Sequence, residues 1–204
     1  PSNKNSRENH RRVPKSQRIF MNEEDGVYDV HEDKNFIVKA VQLPHKPDMK
    51  TFAYVVQEKS VTGRLDAGKL MKEGIEPGPI YKKIKSGETV TLPNGKKLDP
   101  KDYVGPRKPG RKVAIIYDNC DSEPVVDLAY GADLMVHEAL LETALEENAR
   151  LKGHSSARMA GVTARKADVK SLALTHFSNR YYFLHSQPGI VGVDQVVNDA
   201  KEAF

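Results

Sequence analysis

The sequence predicts an α/β protein, on three observations. Over residues 113–204, short β-rich runs alternate with helix-length amphipathic stretches, the pattern of a sheet with crossover connections. Two earlier β-rich runs, Phe36–Gln42 and Thr51–Gln57, flank the turn-forming segment Leu43–Lys50 and read as consecutive strands. The 204 residues, 38% hydrophobic and 29% charged, suit one well-filled globular domain and are too few for two large ones.

Taken in order, residues 1–18 have almost no apolar content and carry net charge +5, so a basic disordered arm or surface insertion is expected there. The body is expected over residues 19–204. Residues 59–112 carry net +8, a short helix at Leu65–Glu73 and the helix-breaking Gly74–Pro79. Within the same stretch, Glu88–Leu92 and Lys96–Leu98 flank Pro93-Asn94-Gly95, a hairpin signal. With few apolar residues to pack on themselves, residues 59–112 are expected to project from the body as an arm.

Beyond residue 112 the order is strand Val113–Tyr117, helix Glu123–Tyr130, strand Leu134–His137 and helix Leu141–Leu151. Helix Ser155–Lys166, strand Ser171–Thr175 and helix Asp194–Ala203 complete it. The flanking segments 19–58 and 113–204 are acidic, net −4 and −5, so the overall +4 hides an acidic body with two basic segments. Such asymmetry points to a polyanionic partner.

No apolar run approaches the roughly 20 residues of a membrane helix, so no membrane partner is expected. No leader-like stretch stands near the start, and the lone Cys120 forms no internal disulfide, which fits a reducing, cytoplasmic setting. The opening on Pro1 is expected of a piece of something longer.

Three of the later strands end in a candidate ligand: Asp118 after IIY, His137 within LMVHE, and His176 after LALT. Binding groups gather at the C-terminal ends of strands in open α/β sheets. His45 in the early turn and His154 before Ser155 add two imidazoles. Imidazole nitrogen and carboxylate oxygen suit zinc or manganese. Singly, each residue has a plainer use: Asp118 as a turn residue, His137 as a satisfied half-buried histidine, His154 as a loop residue before a helix cap.

As a set they are more specific. GHSSARMAGVTARKADVKSLALTHFSNRYY (153–182) resembles the block of the tRNase Z (ribonuclease Z) family that runs from Gly-His-Ser-Thr to Thr-His-x-Ser-x-Arg-Tyr. ADLMVHEAL (132–140) is similar to that family's His-Glu-Ala-Thr segment, and residues 64–98 to its Gly-Pro-containing substrate-binding arm. The segment VGPRKPGRKVAIIYDN leads into the position of its Gly-Asp-Thr motif. The resemblance runs collinearly over about residues 36–182.

It implies a metallo-β-lactamase fold, an αβ/βα sandwich of which this chain holds the C-terminal half and part of the N-terminal half. It also implies zinc-dependent removal of the 3′ trailer from precursor tRNA, two zinc ions, and a homodimer. By residue, it assigns His45, Asp118 and His176 to metal and His137 with Glu138 to proton transfer at the leaving group. His154, Ser155, Ser178 and Arg180 fall near the scissile phosphate. Arg64, Lys69, Lys72, Gly78, Pro79, Lys82, Lys83 and Lys85 fall on the tRNA-binding arm.

The departures are specific too. Gly-Asp-Thr is Tyr117-Asp118-Asn119 here, the threonine of His-Glu-Ala-Thr is Leu140, and Asn179 stands before Arg180 where proline is usual. The family's His-x-His-x-Asp-His motif is absent: none of the seven histidines, His10, His31, His45, His137, His154, His176 and His185, has that spacing. The rest of the metal set is therefore expected upstream or on a separate chain, with two zinc ions held weakly or not at all by this chain alone. A non-catalytic tRNA-binding fragment or degenerate homologue is the alternative, and a small-substrate hydrolase of the same fold is disfavoured by the basic arm.

Overall fold

The computed structural model describes residues 17–47 and 49–204, so the expected basic arm at 1–18 lies almost wholly outside the described residues. In chain order the elements are β1 (Val27–Glu32), β2 (Phe36–Pro44), β3 (Lys50–Glu58), α1 (Ala67–Lys72), α2 (Pro79–Ser86), β4 (Val90–Thr91), β5 (Lys97–Leu98) and α3 (Pro100–Tyr103). Then follow β6 (Lys112–Ile116), α4 (Val126–Ala129), β7 (Leu134–Glu138), α5 (Glu146–Leu151), α6 (Ala157–Lys166), β8 (Leu172–Thr175) and α7 (Val193–Ala203).

Six strands make one mixed sheet, ordered β1-β2-β3-β6-β7-β8. The first four pair antiparallel, and β6, β7 and β8 run parallel through helical crossovers, as the strand–helix alternation predicts. Strand β1 is not evident from its sequence, VYDVHE, where Asp29, His31 and Glu32 interrupt a short apolar pattern. It is an edge strand, and an irregularity between Asp29 and His31 blunts its pairing.

Period-two alternation gives the sheet two unlike faces. One buries Val41, Leu43, Ala53, Val55, Ala114, Ile116 and Met135 against Val125 and Ala129 beside α4 and Ala164 of α6. The other carries exposed Tyr54 with Val56, Val113, Ile115 and Val136, in register across β3, β6 and β7 and only partly buried. A second cluster joins α6 and α7 to the end of the sheet through Ala157, Val196, Ala200 and Tyr181, with Leu172 and Leu174 of β8 packed on it.

The arm corrects an expectation. Leu70, Ile75, Ile84, Leu98 and Tyr103 form a buried cluster of their own, with Leu65, Ile80, Tyr81, Val90 and Leu92 packed around it. The apolar residues are few but spaced so that three short helices and the β4–β5 hairpin share them. Helix α2 is unanticipated because Pro79 reads as a breaker; it stands at the first helical turn, where its missing N–H is not needed, and Gly87 at φ +96° ends the helix. Two isolated bridges, Val61 with Lys108 and Leu65 with Val104, form the neck. There Gly63 lies against Gly105 so closely that a β-carbon would strike its carbonyl.

The expected helix at Leu141–Leu151 is shorter. Leu141 instead bridges to Ser156, and only Glu146–Leu151 is α-helical after a 3-10 turn. Among the described residues, no helix is long and apolar enough to cross a membrane.

Candidate metal centre

The parallel strands deliver their ligands to one end of the sheet. Asp118 follows β6, Glu138 is the last residue of β7, and His176 follows β8 directly. His176 holds φ +59°, a left-handed conformation that few non-glycine residues adopt and that clusters at functional sites. His154 comes from the loop before α6, whose cap Ser156 accepts the N–H of Met159. One ligand atom from each of Asp118, Glu138, His154 and His176 lies within 4.8 Å of the others.

Within this group His176 Nδ1 is 2.9 Å from Asp118 Oδ1 and 3.2 Å from Glu138 Oε2. His154 Nδ1 is 2.9 Å from Glu138 Oε2 and 3.9 Å from Asp118 Oδ1. The rings of His154 and His176 meet edge to face with centroids 5.2 Å apart. The Asp118 and His176 side chains are 41% and 39% exposed while Glu138 is wholly buried, so the centre opens on one side only.

A buried carboxylate is costly unless its oxygens are paired. Glu138 Oε1 accepts the backbone N–H of Asn119 at 2.6 Å and of Ser155 at 3.2 Å, which leaves Oε2 to face the imidazoles. Burial nonetheless pushes its pKa up to about 7, against the pull of the Asn119 N–H, His176 and the Ser155 N–H. Burial also lowers the pKa of His154, opposed by the charge of Asp118.

His45 stands beside the group rather than in it. Its ring meets His154 edge to face at 4.9 Å, and its Nδ1 lies 2.6 Å from the Gly153 carbonyl. A carbonyl only accepts, so Nδ1 carries the proton and Nε2 keeps the lone pair a metal requires. Gly153 at φ +83° is close enough that a β-carbon there would meet His45 Nδ1 and O at 2.8 Å.

His137 is the main correction. Consecutive strand residues face opposite sides, so 137 and 138 cannot both reach the centre. His137 is fully buried, its Nδ1 2.6 Å from the Glu138 carbonyl and its Nε2 2.8 Å from Ser122 Oγ. Burial lowers its pKa to about 4, so it is neutral and occupied, not a proton donor at a solvent-facing group. The imidazoles that meet the Glu138 carboxylate are those of His154 and His176.

Ser155 is likewise buried, and its hydroxyl donates to the Asn119 carbonyl at 2.7 Å instead of facing outward. Ser178 donates its N–H to the Leu140 carbonyl, and Arg180 is exposed with its guanidinium 6.0 Å from the Tyr181 ring. On the arm, Arg64, Lys72, Gly78, Pro79, Lys82, Lys83 and Lys85 are exposed. Lys69 is exposed too, but its ammonium is engaged, donating to the Asp102 carbonyl at 2.9 Å and lying over the Tyr103 ring.

Sequence reasoning missed Asn119 and Ser122. Asn119 is buried, its Oδ1 accepts from the Ser122 hydroxyl at 2.6 Å, and its own N–H holds Glu138. The available signal was the departure at Asn119 itself, an amide where the resembled motif has a hydroxyl. The donor set, two imidazoles and two carboxylates on one ligand-sized radius, fits a borderline divalent ion such as zinc.

No protein-family model matches the chain. Ribonuclease Z of Bacillus licheniformis is 45% identical over 181 residues, which cover 89% of this chain and 56% of that protein. Ribonuclease Z of Listeria monocytogenes is 41% identical over 186 residues, 91% of this chain and 60% of the relative, and ribonuclease BN of Citrobacter koseri is 41% identical over 144 residues, 71% and 47%. The crystal structure of the short form of human tRNase Z matches with a TM-score of 0.51 and 26% identity, over 79% of this chain and 43% of that one. This likeness supports the α/β fold of metallo-β-lactamase type, present in part. The chain spans about half the length of the curated relatives it matches. It is a homologue of the ribonuclease Z and BN proteins, over most of its own length and about half of theirs.

Proposed function

We propose that the chain is one half of a zinc-dependent endoribonuclease that removes the 3′ trailer of precursor tRNA by phosphodiester hydrolysis. The observation that carries this is the convergence of Asp118, Glu138, His154 and His176 at the ends of three parallel strands, in a chain about 40% identical to ribonucleases Z. Asp118, His176 and His45 would hold zinc together with ligands from a segment outside this sequence. The partly buried sheet face at Tyr54, Ile115 and Val136 offers that segment a surface to pack on. Zinc at such a site supplies a Lewis acid for phosphoryl oxygens and lowers the pKa of water.

The remaining roles belong to this chain's own side chains. Glu138, fixed through Oε1, orients His154 through Oε2, and the pair is suited to hand a proton to the departing oxygen. Arg180 presents a forked donor to phosphate from the exposed segment after His176. The prefolded arm with its exposed Lys82, Lys83 and Lys85 suits the phosphate backbone of a folded RNA, without reading its bases. A homodimer remains part of this reading by resemblance.

The decisive measurement is trailer removal by the complete protein, upstream segment included. Asp118→Ala is expected to lower the rate at least roughly 100-fold, because removing a ligand exceeds the effect of removing a ligand's support. Full activity in that variant would end the proposal. Charge reversal at Lys82, Lys83 and Lys85 is expected to flatten the salt dependence of log affinity for precursor tRNA by about 2 units, at roughly 0.7–0.9 per lost phosphate contact. An unaltered slope would remove the arm from RNA binding.

A further inference from the structure

We infer that Ser122 is a positioning residue for the proton-transfer pair Glu138 and His154: its hydroxyl fixes Asn119, whose backbone N–H in turn sets the Glu138 carboxyl. The inference rests on the proposed function for the reaction the pair serves. It adds to that reading a buried residue outside the ligand group.

The need for such a device lies in the sheet. The parallel pairing of β6 with β7 ends at Ile116 and His137, one residue short of Glu138. Residues 117–122 therefore leave the ladder, and other bonds must bring Asn119 back over the end of β7. The next residue is held by its N–H, which Cys120 donates to the Pro44 carbonyl at 2.9 Å. Asn119 itself is held three times. Its Nδ2 donates to the Tyr117 carbonyl at 3.1 Å, its Oδ1 accepts the Ser122 hydroxyl at 2.6 Å, and its carbonyl accepts the Ser155 hydroxyl at 2.7 Å.

Ser122 closes a ring around Glu138. His137 Nδ1 lies 2.6 Å from the Glu138 carbonyl and donates to it, so Nε2 keeps a lone pair, 2.8 Å from Ser122 Oγ. From Ser122 the path continues to Asn119 Oδ1, and from the Asn119 N–H to Glu138 Oε1 at 2.6 Å. The main chain and the carboxyl of one glutamate are thus tied through a single hydroxyl, whose one proton faces two acceptors. Ser122, Asn119, His137 and Ser155 are all buried, so no solvent stands ready to replace a lost partner. Ser122 is placed by the 3-10 turn it precedes, where its carbonyl accepts the Val125 N–H at 3.1 Å.

The effect reaches the site through Oε2. With Oε1 taken by the Asn119 and Ser155 N–H groups, Oε2 is directed at His154 Nδ1, 2.9 Å away. Once the Asn119 N–H retreats, the carboxyl is free to turn. A reacting group misplaced by about 1 Å can cost on the order of 100-fold in rate.

The test has two arms. In the 204-residue chain, the Asn119 amide is followed by NMR and hydrogen exchange, and Ser122→Ala should shift its signal upfield and speed its exchange at least roughly tenfold. In the complete protein, upstream segment included, Ser122→Ala should lower kcat for trailer removal by roughly 10–100-fold with KM within a few-fold. Ser122→Thr, which keeps the hydroxyl, should recover most of that loss. Val125→Ala is the control: it truncates a wholly buried side chain of the same turn, lowers the melting temperature, and leaves kcat and the Asn119 amide unchanged. If melts show that Ser122→Ala fails to fold, Asn119→Ala, which keeps the backbone N–H but removes the acceptor of the hydroxyl, stands in for it. An unmoved Asn119 amide, an unchanged kcat, or a loss of kcat equalled by Val125→Ala overturns the inference. Wild-type activity separates this from the wider reading: no trailer removal by the complete wild-type protein ends the ribonuclease proposal, whereas the amide arm is decided without it.

Discussion

Gly153→Ala lowers the stability of this chain by about 2–4 kcal/mol and detaches His45 from the loop that holds it. Two costs add. The residue sits at φ +83°, where a side chain costs roughly 1 kcal/mol, and its new β-carbon would meet His45 Nδ1 and O at 2.8 Å and Lys46 Cγ at 2.9 Å. Neither the backbone carbonyl nor the adjoining loop can retreat without giving up the Nδ1–carbonyl bond of 2.6 Å. Gly131 separates the two contributions: it has φ +69° and no heavy atom within 4 Å of a β-carbon. Gly131→Ala should cost only the conformational part. Urea unfolding of both variants decides the matter, and equal losses would mean that Gly153 and His45 do not interlock.

In the metal-free protein two adjacent residues make opposed contributions to the pH dependence of stability between about pH 4.5 and 6.5. His137 has its folded-state pKa lowered from 6.5 to about 4 by burial. The unfolded chain binds its proton first, so this contribution is complete above pH 6.5 and is lost on acidification toward pH 4, by roughly 3 kcal/mol. Glu138 has its pKa raised from 4.5 to about 7, chiefly by burial. The folded chain keeps that proton longer, so this contribution is present below pH 4.5 and lost as pH rises toward 7. Glu138→Gln removes only the second. Its stability should therefore fall more steeply from pH 6.5 to 4.5 than that of the wild type. Parallel stability–pH curves for the two proteins, measured with chelator, would refute the opposition.

The fold was legible where pattern and period agree. The hairpin of β2 and β3 and the strands β6, β7 and β8 stand as read, because β-branched runs between turn residues have few other solutions. Elements decided by packing at a distance were not legible. Strand β1 exists because β2 offers an edge, and α2 exists because Ile84 reaches the arm's core from behind a proline that reads as a stop. The site shows the same division. Residue types and strand ends located Asp118 and His176, whereas the choice between His137 and His154 turns on strand parity, which a motif does not display. Asn119 stood out only as a departure from the motif, and its role stayed hidden because its backbone N–H, not its side chain, makes the contact to Glu138.

If residues 59–112 bind RNA as proposed, their self-contained core bears on the cost of that encounter. A cationic loop that orders only on contact surrenders conformational freedom at every binding event, and that loss subtracts from affinity. Here Leu70, Ile84, Leu98 and Tyr103 meet that entropic demand once, when the chain folds. The neck is itself bonded, by paired hydrogen bonds between Val61 and Lys108, beside two glycines that touch. Under the proposed function, the arm's lysines would then meet a phosphate backbone as a set already fixed by the fold.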